Sequence, residues 1–141
     1  MLPRDRVWRK NSGASPEQIE ALRQASPVKL PAKYYDFLAF SDGGEGPLSR
    51  QPLNFVLDPA AVALENFSRG LSHEFFPSFL MFGSNGAGEY LAFDVRDSGR
   101  MPIVSIDMTN TDLGESVWQV AASFDEFVEL VGLDPPTNDA K

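Results

Sequence analysis

Cysteine is absent from this 141-residue chain, and histidine occurs once, at His73. The first absence excludes disulfides, thiolate nucleophiles and cysteine-rich zinc sites, and it fits a reducing compartment. The second leaves acid–base chemistry short of its usual residue. His73 lies in Ser72-His73-Glu74, and neighbours in sequence point their side chains in different directions, so adjacency alone builds no nucleophile–histidine–carboxylate relay. With one histidine and no thiol, a metal would need oxygen ligands. The oxygen-rich stretch from Asp107 to Glu115 fails the calcium-loop spacing, lacking glycine at the sixth position and glutamate at the twelfth. No metal and no cofactor are expected.

Long apolar runs are also missing, so no stretch approaches the ~20 residues of a membrane-crossing helix. Arg4, Arg6, Arg9 and Lys10 are not followed by an apolar segment, so a cleaved leader is not expected. The expected location is the cytoplasm, with no membrane partner.

Positive charge is scarce in one half. Residues 1–69 hold nine Lys/Arg against eight Asp/Glu, whereas residues 70–141 hold three against twelve. Beyond Asp107 the only cation is Lys141. Such a surface repels phosphate backbones, which disfavours nucleic acid as a partner. It attracts basic proteins, although acidity also serves plain solubility.

Helix signals open the chain. Ser15-Pro16-Glu17-Gln18 combines a serine cap, proline in the first turn and a reciprocal glutamine. A second helix starts near Pro31, with Tyr34, Phe37, Leu38 and Ser41 on one face and Gly43 as its stop. Asp58-Pro59 is expected to cap a third, with Ala61, Leu64 and Phe67 inward and Gly70 closing it. Ser123-Phe124-Asp125-Glu126 opens a fourth, burying Phe124, Phe127, Val128 and Val131 before Gly132.

Five strands are expected, at residues 53–57, 79–82, 89–95, 103–107 and 117–121. The run Gly83-Ser84-Asn85-Gly86-Ala87-Gly88 joins two of them. It leads into a strand rather than a helix, lacks the Lys-Ser/Thr of a phosphate loop, and ends beside Glu89, so it reads as a hairpin turn. The fold class is therefore α+β: one domain, a mostly antiparallel five-stranded sheet with helices on one side. Residues 1–14 read as an arm, 15–133 as the domain and 134–141 as a disordered tail. Trp8, among basic residues, is either an exposed interface aromatic or the anchor of that arm.

Leu30-Pro31-x-x-Tyr34-x-x-Phe37-Leu38 running into Ser41-Asp42-Gly43-Gly44-Glu45-Gly46 resembles the signature of the SUKH (Smi/Knr-type) superfamily. The stretch from Phe82 through Glu89 to Phe93-Asp94 and the closing helix from Ser123 to Phe127 are similar to later parts of the same domain. The resemblance implies a domain without enzymatic activity. Bacterial members mainly act as immunity proteins that neutralise a cognate toxin, often a nuclease, while fungal members act as regulatory hubs with several partners. It also places Gly43, Gly44, Gly83, Gly86, Gly88 and Asp94 on recurring positions, read as backbone geometry and a strand-end hydrogen-bonding group.

The expected function is protein binding through an acidic surface, to a basic toxin domain, with Asp42, Glu45, Glu89, Asp107, Asp112 and Glu115 as the candidate contacts. The alternatives are a scaffold with several partners and, last, a small-ligand binder or hydrolase.

Overall fold

The computed structural model describes residues 1–68, 76, 78–97, 99–109 and 116–135. Its sheet has seven strands, not five: β1 (Arg9–Lys10), β2 (Gly44–Pro47), β3 (Asn54–Leu57), β4 (Phe79–Ser84), β5 (Glu89–Asp94), β6 (Ile103–Asp107) and β7 (Val117–Ala121). They lie in chain order, and every neighbouring pair is antiparallel.

The two strands beyond the expected five carry no alternating apolar signal. β2 reads Gly-Glu-Gly-Pro and β1 is an Arg-Lys dipeptide, residue types that rarely build strands alone. Packing makes them strands. On the face where Phe55 and Leu57 are buried, the β2 positions are Gly44 and Gly46, and the Trp8 ring lies across both. A Cβ on Gly46 would stand 2.8 Å from that ring.

Four helices, α1 (Pro16–Ala25), α2 (Ala32–Phe40), α3 (Ala60–Ser68) and α4 (Phe124–Leu130), supply Leu22, Tyr34, Phe37, Phe67, Phe124 and Phe127 to one apolar cluster. The sheet contributes Phe55, Leu80, Phe82, Leu91, Phe93 and Ile103 from one face. Aromatic edges fill the centre: Tyr34 meets Phe93 at 5.2 Å and Phe82 at 6.0 Å between centroids. The other sheet face buries Phe79, Met81, Ala92, Val104 and Ile106 beneath Phe76.

Capping follows the sequence at both ends of the fold. Ser15 and Gln18 form the reciprocal box of α1, and Ser123 Oγ accepts from Glu126 N at 3.1 Å. Elsewhere it departs. α3 buries Ala60, Ala63 and Phe67, leaving Ala61 exposed. Its first amide, Ala60 N, donates to Asp42 rather than Asp58, at 2.7 Å. α2 ends at an extended Ser41, and Gly43 takes its left-handed φ of 85° two residues later.

Residues 6–14 lie along the domain throughout. Arg6 Nη1 donates to Val128 O at 3.1 Å and to Val131 O at 2.7 Å, covering the carbonyl end of α4. Val7 N donates to Gly132 O, and Ala14 N to Leu38 O. Trp8 is the anchor, packed 5.2 Å from Phe37 and 5.6 Å from Phe55, with Nε1 donating to the buried Ser41 Oγ.

Candidate functional site

The β4–β5 hairpin and the strands beside it gather carboxylates at one end of the sheet. Glu89 opens β5, directly opposite Asp107 at the close of β6. The next pair on the same face, Leu91 and Ser105, continues in register to Trp118 on β7. Alternation therefore places Glu89, Ser105 and Trp118 on one face, and the hydrogen bonds follow. Ser105 Oγ donates to Glu89 Oε2 at 2.9 Å, and Trp118 Nε1 to the same oxygen at 3.3 Å. Asn85 Nδ2 reaches Glu89 Oε1 at 3.4 Å, while Asn85 Oδ1 accepts from Glu89 N at 3.0 Å and Ala87 N at 2.8 Å. The turn and the glutamate thus hold one another.

The network continues to β2. Asn54 Nδ2 donates to the Asn85 carbonyl at 3.1 Å and to Glu45 Oε2 at 3.0 Å. Glu45 pairs in register with Val56 on one side and Arg9 on the other. Asp107 is tied differently: its Oδ1 accepts from Thr109 N at 2.9 Å and Thr109 Oγ1 at 2.8 Å. These two donors hold its carboxyl below the usual carboxylate range. Among the described residues no lysine or arginine forms an ion pair with Glu89 or Asp107.

Three of the six candidate contacts, Glu45, Glu89 and Asp107, therefore lie in this band of strands. Asp42 does not join them, being bound to the α3 terminus. Asp112 and Glu115 lie outside the described residues, as does His73. The glycines divide into two kinds. Gly43, Gly44, Gly86 and Gly88 have positive φ, Gly44 also lying within β2 against the Trp8 ring, whereas Gly83 lies within β4, where a Cβ would stand 2.7 Å from the Phe55 ring.

Asp94 closes β5 at the opposite end. Burial pushes its carboxyl up, but the Arg96 side chain, backbone N–H and charge outweigh that, and the net shift is downward. The guanidinium forks onto it, Nε to Oδ1 at 3.0 Å and Nη2 to Oδ2 at 2.8 Å.

Asn54, Asn85, Ser105 and Trp118 were not legible as a set in the sequence. One signal was available: Ser105 is the lone polar residue of Ile103-Val104-Ser105-Ile106, and it is fully buried. A buried hydroxyl inside an apolar strand needs a partner, and Glu89 is that partner.

Among the described residues no group of three or more His, Asp or Glu side chains converges as a metal site would require, and no helix is long and apolar enough to cross a membrane. The site holds oriented carboxylates and neutral donors, a chemistry suited to recognising cationic groups. No curated protein matches the chain. The model of the SMI1 / KNR4 family (SUKH-1) matches residues 13–130, from the residue before Ala14 to the end of α4, and the chain belongs to that family.

Proposed function

We propose that the protein is a non-catalytic binding domain of the immunity type, which neutralises a basic toxin domain by covering it with the acidic end of its sheet. Family membership supports the binding role, since this is a family of immunity-protein-like domains. The observation that carries the choice of surface is the Glu89–Asp107 pair. Two carboxylates stand in register on neighbouring strands, supported by neutral donors and by no cation among the described residues. Like charges placed opposite each other cost stability, and an arginine or lysine from a partner would relieve that repulsion on binding.

In this reading Glu89 is a positioning residue. Its carboxylate is occupied by Ser105, Trp118 and Asn85, so it presents a fixed negative centre. The less enclosed Asp107 would meet the cation directly. A nuclease toxin is the best-suited class, because its substrate groove is basic and an acidic surface can occupy it. The expected location is the cytoplasm, where such a toxin would act.

The test is capture of partners from the native cells, followed by purification of the principal basic one and titration against this protein. A single basic partner is expected, whose toxicity is suppressed by co-expression. Its affinity should fall steeply between about 50 mM and about 500 mM salt and drop further with Asp107→Lys. A salt-independent affinity would remove the electrostatic basis of the proposal. Several weak partners, none of them toxic, would favour the regulatory role instead.

A further inference from the structure

The two edges of the sheet differ in kind. β1 closes one of them with two exposed residues, Arg9 and Lys10, and a short charged edge discourages further pairing. β7 closes the other with Val117-Trp118-Gln119-Val120-Ala121, a strand without charge or proline. Register settles which of its backbone groups point outward. Met108 N donates to Gly88 O and Asp94 N to Pro102 O, so Val104 and Ile106 bond toward β5 while Ile103 and Ser105 turn toward β7. Ser105 stands opposite Trp118, so the Trp118 N–H and C=O point at β6. Those of Val117 and Gln119 point away from the sheet.

Among the described residues nothing bonds to those outward groups. Farther along, Arg50 Nη1 donates to Val120 O at 2.8 Å, and Val120 is the residue bulged out of the pairing opposite Ile103. The open edge is therefore the stretch from Val117 to Gln119, where Gln119 is exposed and its two neighbours are half-buried. Its two ends differ in charge. Val117 faces Ile106, and the next residue of β6 is Asp107, which has no ion pair among the described residues. Toward Ala121 the charges balance: Arg50 meets Glu126 at 3.7 Å and Arg96 meets Asp94 at 2.8 Å. The cavity that Gln119 borders likewise sets Arg96 and Arg100 beside Asp94 and Asp97.

We propose that β7 accepts an extended basic segment of the partner protein as an added antiparallel strand. This deepens the reading of Glu89 and Asp107 as the surface that meets a cation, and it rests on that reading. One residue of the segment exchanges both backbone bonds with Val117, and the next but one does so with Gln119. The residue between them lies beside the half-buried Trp118 ring. Antiparallel addition continues the pattern of every neighbouring pair in the sheet and gives the stronger ladder. It sets the C-terminal end of the segment near Asp107, two strand spacings or about 10 Å from β6. An arginine and the aspartate bridge that gap between them, so the basic residues belong at that end. A second copy of the chain fits less well, because each carries a net charge of −8 and like charges oppose the approach.

The test is fluorescence anisotropy with a labelled peptide of about nine residues, alternating threonine with valine and ending in two arginines. Saturable binding is expected, weakened about tenfold by Gln119→Pro, which removes an outward N–H and leaves the β6 ladder intact. Asp107→Lys should weaken it about fivefold. A peptide of the same composition with its arginines at the N-terminal end should bind less tightly. Amide exchange in the unsubstituted protein reads the edge directly: Val117 and Gln119 should exchange fast and Trp118 slowly, and the peptide should protect the first two. Absence of saturation would overturn the proposal. Fast exchange at Val117 and Gln119 under saturating peptide would overturn the added strand, and a loss with Asp107→Lys would then leave the acidic surface standing without it. Weakening by Gln119→Pro but not by Asp107→Lys would overturn the choice of a basic segment. A concentration-dependent dimer that Gln119→Pro abolishes and that excludes the peptide would assign the edge to a second copy instead.

Discussion

Glu89 and Asp107 face each other across β5 and β6 in direct register, two carboxylates where a stabilising cross-strand pair would carry opposite charges. Asp107→Asn removes the repulsion while keeping the oxygen that accepts from Thr109. Because the two Thr109 donors favour the ionised Asp107 in the folded state, the variant is expected to be slightly less stable than the parent at neutral pH, with the loss smallest at low salt, where relief of the repulsion is greatest. Urea unfolding at two ionic strengths measures it. A gain of stability at low salt would mean that the cross-strand repulsion outweighs the hydrogen bonds from Thr109 to the ionised carboxylate.

Tyr34 is fully buried among Phe67, Phe82, Phe93 and Phe124, and its hydroxyl has no hydrogen-bond partner among the described residues. Burial raises its pKa well above the ordinary phenol value, and the charges of Tyr35, Asp58 and Asp42 add to the effect. A buried, unsatisfied hydroxyl costs roughly 1–3 kcal/mol, whereas the ring contacts are kept by phenylalanine. Tyr34→Phe is therefore expected to stabilise the protein by about 1 kcal/mol, raising the Tm by about 3 °C. A fall in Tm would point to an ordered water or a moving partner at that hydroxyl.

The helices and the central strands were legible because their signals are local. Ser15 with Gln18, the alternation in β3 and the phase of Phe124, Phe127 and Val128 each depend on residues a few positions apart. What the sequence hid depends on contacts across the chain. β2 is a strand because Trp8 covers its glycines, 36 and 38 positions away, and Asp42 caps α3 from 18 residues upstream. Glycine was the misleading residue: at Gly44 and Gly83 it makes room for an aromatic ring inside a strand, yet in sequence it looks like a turn. The acidic pair Glu89–Asp107 needed the register of two strands, which composition does not encode.

Trp8 joins the arm to the core. Its ring lies against Phe37 and Phe55 and its Nε1 donates to Ser41 Oγ at 3.2 Å. Ser41 is fully buried and also accepts from Asn11 N at 3.1 Å. Trp8→Ala removes an aromatic body and leaves a gap that the flanking glycines cannot fill, so a cost of about 3 kcal/mol is expected. Trp8→Phe should lose less, since a ring remains over Gly44 and Gly46. Urea midpoints of the two variants measure the difference. Equal, small losses would show that residues 1–12 contribute little to the stability of the domain.

Asp58 gives the fold a pH dependence of unusual sign. Burial at the end of β3 pushes its pKa up to about 6, although the Asn66 donor at 3.2 Å pulls it back. The folded protein therefore holds this proton more tightly than the unfolded chain, whose aspartates titrate near 3.9. Between about pH 4 and about pH 6 the folded state carries the extra proton, so this residue's contribution falls as pH rises through that window. At pH 7.5 the buried charge costs roughly 2 kcal/mol, allowing for its partial contact with solvent. Asp58→Asn is expected to recover about that amount at pH 7.5 and almost none at pH 4. Stability curves for both proteins across the interval decide the point: a gap that widens with rising pH is the signature of the buried carboxyl. A constant gap would assign the effect to altered bonding with Asn66 instead.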